Sequence, residues 1–124
     1  MTKTKVVHVN SPEWAQAVKD STAVYIGRFT FNGKKPPMAK SKWHNPFVVG
    51  RHGTIDEVLA QYRTHVENTP ELFNALLELY GKTLGCWCKA RNASETGRPC
   101  HGDVLRELAD RAMAEYAHHA LTGE

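Results

Sequence analysis

The chain has three cysteines, Cys86, Cys88 and Cys100, and the third is followed directly by His101. Thiolate and imidazole are the ligands zinc takes in tetrahedral sites, so Cys86, Cys88, Cys100 and His101 form a candidate Cys3His set with zinc as the implied metal. The spacing alone does not decide the matter. A Cys-x-Cys pair is less diagnostic than Cys-x-x-Cys, and ligands from adjacent residues are awkward to bring onto one ion. Cys86 also has a plainer reading as a small hydrophobe buried in a strand.

A second chemistry needs no metal. Cys100 falls where a helix is expected to begin, and backbone N–H groups with the helix dipole stabilise a thiolate there. With His101 beside it and Asp103 close by, the residue types are those of a nucleophile, a proton-transfer base and an orienting carboxylate. Cys88 is the alternative nucleophile. Asp103 has a simpler role open to it as a helix N-cap, and the same helix start could hold a phosphate without catalysis.

These residues must be positioned by local structure. Thr83 to Cys88 reads as a short strand, because Gly81 closes the helical segment before it and the run is apolar. Strand alternation then puts Cys86 and Cys88 on one face and Trp87 on the other. Lys89 to Pro99 is a polar loop, and it must fold back for Cys100 and His101 to meet the other thiols. A closing helix follows to about Ala120, with Val104, Leu105, Leu108, Ala112 and Tyr116 on its apolar face.

Upstream, Lys5 to Asn10 is a β-branched run expected to form a first strand. Ser11 and Pro12 are a capping serine and a first-turn proline, so Ser11 to Asp20 is a short helix. Ala23 to Gly27 is a second strand, with Arg28 at its carboxyl end, where ligands collect in α/β sheets. Thr54 and Glu57 form a capping box opening a helix over Ile55 to Glu67, with Val58, Leu59, Tyr62 and Val66 at helical spacing. Thr69 and Pro70 open another, its face made by Leu72, Phe73, Leu76, Leu77 and Tyr80, and the two make a helical hairpin. His65 reads as a packing residue, and His118 and His119 as companions of a helix dipole.

The stretch from Phe29 to His52 has little helical period and many turn signals. No acidic residue lies between Asp20 and Asp56, while Arg28, Lys34, Lys35, Lys40, Lys42 and Arg51 are basic. Phe29, Phe31, Trp43 and Phe47 are interleaved with them. A solvated loop is one reading. The other is an anion site, in which cations neutralise phosphate and a ring stacks on a base, with a nucleotide or a nucleic acid as the partner.

The whole is expected to be a single α/β domain, a small sheet of about three strands with four helices packed against it. A length of 124 residues allows one modest core. The hydrophobic share of 41% and charged share of 23% are those of a globular chain rather than a disordered one. No apolar run reaches the roughly 20 residues that span a bilayer, and no signal peptide is visible, so a cytoplasmic location is expected. An odd number of cysteines then argues for reduced thiols. The net charge of +3 permits an anionic partner without requiring one.

Four motifs in order add up to a resemblance: Val24-Tyr25-Ile26-Gly27-Arg28, Ser41-Lys42-Trp43-His44-Asn45-Pro46-Phe47, Gly81 to Lys89, and Cys100-His101-Gly102-Asp103-Val104-Leu105. Over about Lys5 to Ala109 the chain resembles domain of unknown function family 4326, small proteins of bacteriophages and bacteria. The family brings no assigned activity, so the resemblance implies a group of residues rather than a reaction. Those are Arg28, Ser41, Lys42, Trp43, Asn45, Lys82, Cys86, Trp87, Cys88, Cys100, His101 and Asp103. The chain departs from the pattern in an insertion over 29–40, in His44 where the pattern has glycine, and in a longer loop over 89–99.

Three functions are therefore carried forward. The first is a phage-type, metal-binding protein with a Cys/His centre beside a cationic surface, where Arg28, Lys42 and Lys82 meet phosphate and Ser41, Trp43 and Asn45 contact a base or shape its pocket. The second is an enzyme acting on a nucleoside or nucleotide through Cys100 or Cys88, with His101 or Asp103 moving the proton. The third is an interaction protein that binds a host factor, its cysteines merely packing.

Overall fold

The computed structural model describes residues 4–27, 40–48, 50–86 and 100–122. Arg28, Trp87, Cys88 and the 89–99 loop lie outside those residues, as does the 29–40 insertion apart from Lys40. The β-branched run gives strand β1 (Lys5–His8). Helix α1 (Pro12–Lys19) starts as its first residues require, with Ser11 Oγ accepting the Trp14 N–H at 3.2 Å. Strand β2 spans Ala23–Tyr25 and strand β3 spans Thr83–Cys86.

All pairing is parallel, in the order β1-β3-β2. Val6 lies opposite Leu84 and His8 opposite Cys86, while Val24 flanks Leu84 from the other side. The chain thus passes over the β3 position to reach β2, then steps back. Right-handed crossovers in opposite directions put their helices on opposite faces of the sheet. The packing agrees. The Trp14 ring of α1 covers Gly85, where an added Cβ would lie 2.4 Å from the ring. On the other face Val6, Leu84, Cys86 and Ile26 join one core with residues of the later helices.

Helix α2 (Ile55–Glu67) has the bounds expected from its capping box, in which the Thr54 N–H donates to Glu57 Oε1 at 2.9 Å. That bond holds the Glu57 carboxyl below its ordinary value. Tyr62, Val66 and Val58 are its buried residues. The helix expected from Pro70 to Tyr80 is broken instead. It forms α3 (Pro70–Phe73) and then a separate 3-10 turn, Leu76–Leu79. Apolar residues at 72, 73, 76, 77 and 80 would share one face of a continuous helix, but the chain buries Leu79 in place of Leu77. The tighter turn aligns residues three apart. Leu76 and Leu79 are accordingly buried, and Phe73 and Leu77 are left 47% and 38% exposed. Gly81 closes the segment with φ +75°, a left-handed conformation that glycine adopts freely.

Helix α4 (His101–Thr122) lies across the core face of the sheet. Val104, Leu105, Leu108 and Ala109 are buried along it, with Ala112 partly so. Tyr116, expected on the same face, is instead 60% exposed, because the helix has by then run past the sheet. At the opposite end of the sheet Thr4 Oγ1 donates to Asp110 Oδ1 and accepts the Gly81 N–H, tying α4 to the start of β3.

Candidate functional site

Three parallel strands end together at His8, Tyr25 and Cys86. From β1 the chain turns to α1 on one face, and α4 lies on the other face beyond β3, so neighbouring strand ends feed opposite faces. The carboxyl edge of the strands, the usual place for a ligand in an α/β sheet, lies between these two directions. The Ser41 to Asn45 motif reaches the same edge, because the Ser41 N–H donates to the Gly27 carbonyl at 3.0 Å. The first turn of α4 completes it.

That turn lies very close to the strands. A Cβ on Gly102 would stand 2.6 Å from Val6 Cγ1, 2.9 Å from Ile26 Cδ1 and 3.3 Å from Cys100 Sγ. Only glycine allows this approach. It brings Cys100 Sγ to 3.5 Å from Cys86 Sγ, with both thiols buried and neither in a disulfide. Cys100 is the residue just before α4, and its N–H donates to Asp103 Oδ2 at 2.9 Å. Asp103 is therefore not the N-cap expected from the sequence. It stands in the first turn of the helix and reaches back to the capping position, as the glutamate of a capping box does. Its other oxygen lies 3.8 Å from Arg106 Nη2.

His101, buried at 6% exposure, sends Nε2 to the Ile26 carbonyl at 2.6 Å. A carbonyl only accepts, so Nε2 carries a proton and donates it. The imidazole meets the Tyr62 ring edge to face at 5.1 Å. Tyr62 in turn donates its hydroxyl to the Trp43 carbonyl at 2.7 Å. Burial pushes the Tyr62 phenol far above its ordinary pKa, and Cys100 adds to the rise. The hydroxyl thus remains a donor, and it links the Ser41–Asn45 segment to the α4 start.

Of the expected metal ligands, Cys86 and Cys100 are brought together, and Cys88 lies outside the described residues. Among the described residues no three His, Cys, Asp or Glu side chains surround one point, so His101 is near the thiols in sequence without sharing a centre with them. The expected ligand-contacting residues divide more sharply. Trp43 is 2% exposed, a core residue with Lys42 Nζ 5.4 Å above its ring. It has no open face for a base and contributes as a wall. Ser41 Oγ accepts the Trp43 N–H and Asn45 Oδ1 accepts the Phe47 N–H, so both oxygens shape the turns of their own loop. Lys42 is exposed and pairs with Glu78 at 3.1 Å. Lys82 precedes β3 at its amino end, and a rise of about 3.3 Å per residue sets it roughly 13 Å from Cys86 along the strand. It cannot share a phosphate with this edge. Arg28 lies outside the described residues. His65 does pack, against Phe47 and Tyr62.

Two members of the site have no role in the sequence reading. His8, buried at 7% exposure, is in register with Cys86, and its Nδ1 accepts the Asn10 N–H at 2.9 Å, which fixes the tautomer carrying hydrogen on Nε2. A histidine at the end of a first parallel strand is the signal that points to it. Tyr62 reads as one more apolar helix residue. A wholly buried tyrosine needs a partner for its hydroxyl, and that need is the clue.

The architecture is that of a small α/β domain with helices on both faces of a parallel sheet and a thiol pair at its carboxyl edge. Residues 9–111 match the family described as Domain of unknown function (DUF4326), and the chain belongs to that family. It is also 40% identical over 87 residues to the uncharacterized protein R718 of Acanthamoeba polyphaga mimivirus, an alignment covering 68% of this chain and 65% of that protein. The match thus spans a little under two thirds of the viral relative. No solved structure matches. No helix among the described residues is long and apolar enough to cross a membrane.

Proposed function

We propose that the protein binds zinc through Cys86 and Cys100, with Cys88 as a further thiolate and His101 as a fourth ligand whose ring must shift to reach the thiols, and that it binds an anionic partner of the nucleotide class beside this centre. The observation that carries the reading is the 3.5 Å between the two buried sulfurs. Two thiolates on one tetrahedral zinc at about 2.3 Å each stand about 3.8 Å apart, so the pair needs to open by only a few tenths of an ångström. The chemistry of His101 also suits the part. Metal-binding histidines commonly give their other N–H to a carbonyl, as Nε2 does to Ile26, which makes Nδ1 the ligating atom. Bound zinc would join β3 to the start of α4 and hold the carboxyl edge in shape.

The nucleophile reading draws less support. Cys100 is 2% exposed, whereas reactive thiols sit partly open to solvent. Asp103 is engaged with the Cys100 N–H and has Arg106 nearby, an arrangement that serves the helix start rather than proton transfer. A phage or viral source fits the mimivirus relative, and a cytoplasmic location fits an odd number of cysteines.

Cobalt titration followed by visible spectroscopy tests the metal reading. Thiolate-to-cobalt charge transfer, bleached by zinc and weakened in Cys86→Ser and Cys100→Ser, is the expected result. A spectrum of solvated cobalt alone would contradict it.

A further inference from the structure

We infer that the anionic partner is a nucleic-acid strand met by the exposed cations Lys40, Lys42, Arg51 and His52, and not a mononucleotide whose phosphate is seated at a helix start. The inference rests on the anionic-ligand half of the proposed function and narrows it to a polymer.

A compact phosphate in an α/β domain is ordinarily held by the free N–H groups and dipole at the start of a helix. Each of the three longer helices begins with part of that set already used and with a carboxylate in its first turn. In α1 the Ser11 hydroxyl takes the Trp14 N–H, the Ser11 carbonyl takes the Ala15 N–H, Pro12 has no N–H, and Glu13 stands in the first turn. In α4 the Asp103 carboxylate takes the Cys100 N–H. In α2 the capping box is complete and Asp56 and Glu57 lie in the first turn. Each start therefore presents a carboxylate where a phosphate would have to sit, and like charges repel there.

The positive charge is placed differently. Lys40, Lys42, Arg51 and His52 are exposed along 40–52, a segment without a single acidic residue. Among the described residues no carboxylate pairs with Lys40 or Arg51. Lys42 shares an exposed contact with Glu78, with side chains 52% and 64% accessible, and exposed pairs of this kind are weak enough to exchange for phosphate. Phe47, partly buried between the His52 and His65 rings, lies in the same segment. Exposed cations spaced along one chain segment, with the partly buried Phe47 among them, suit the repeated phosphates of a strand better than one concentrated polyphosphate.

Fluorescence anisotropy on the full chain decides the point, with a labelled single-stranded oligonucleotide, a labelled nucleoside triphosphate and phosphatidylserine vesicles as probes. The oligonucleotide should bind far more tightly than the triphosphate, with log K falling by about 0.7 per contacted phosphate for each decade of salt. The double variant Lys40→Ala/Arg51→Ala should keep its circular dichroism and lose about 1.4 from that slope. A triphosphate that binds as tightly as the oligonucleotide would overturn the inference and leave the anionic-ligand reading standing. Vesicle binding without oligonucleotide binding would overturn it in favour of a membrane surface, and no binding to any probe would remove both.

Discussion

The carboxylate of Asp103 accepts the backbone N–H of Cys100 at 2.9 Å, so the residue carrying the thiol is fixed by the helix that follows it. Asp103→Ala should lower stability by about 1 kcal/mol in urea unfolding, the usual loss for a helix cap. Asp103→Asn retains an accepting oxygen and should keep most of the difference. Equal losses from both would mean that charge, rather than the cap bond, sets the effect.

Gly102 permits the contact of α4 with the sheet. Gly102→Ala introduces a Cβ 2.6 Å from Val6 Cγ1, and the first turn of the helix must lift to relieve it. The expected cost is about 1–3 kcal/mol, the range for overpacking a core. Thermal unfolding reads it, and thiol labelling of Cys100 should become faster as the turn lifts. An unchanged melting temperature would mean that the helix start is not seated on the strands.

Tyr62 makes stability depend on alkaline pH. Its folded pKa is raised, so the unfolded chain loses the phenolic proton first. Its contribution is therefore full below the ordinary tyrosine value of about 10 and declines as pH rises above that value toward the folded pKa. Tyr62→Phe removes the donor to the Trp43 carbonyl and should cost about 1 kcal/mol at neutral pH. Above pH about 10 the gap between the two proteins should narrow. A constant gap across that range would show that the phenol does not titrate differently in the two states.

Lys82 gives a prediction of no effect. It stands at the amino end of β3, across the sheet from Cys86, so Lys82→Ala should leave binding of an anionic partner unchanged. Loss of oligonucleotide binding in this variant would place the ligand at the other end of the sheet.

Much of the fold was legible because its signals are local. The Thr54–Glu57 capping box and the periodic residues after it gave α2 its bounds, and the Ser11–Pro12 pair gave the start of α1. The strand order was not legible. Nothing in a strand's own residues says that β3 inserts between β1 and β2, and the glycine at 85 acquires its reason only when Trp14 is seen lying on it. At the site, the juxtaposition of Cys86 with Cys100 was within reach, since one ends a strand and the other begins a helix. Of the two roles expected for Trp43, contact with a base and shaping of the pocket, burial leaves only the second, and sequence alone does not choose between them. It is the Tyr62 hydroxyl on its carbonyl and its place in the core that make it a wall. Lys82 is expected among the phosphate contacts through the family resemblance, whereas the strand sets it at the end opposite Cys86.

The most direct test of the zinc reading is the metal content of the wild-type protein and of Cys86→Ser/Cys100→Ser, each purified without added metal. About one zinc per wild-type chain, lost in the double variant together with thermal stability, is the predicted result. Wild-type protein with negligible zinc, its folding unaltered by a chelator, would contradict the account.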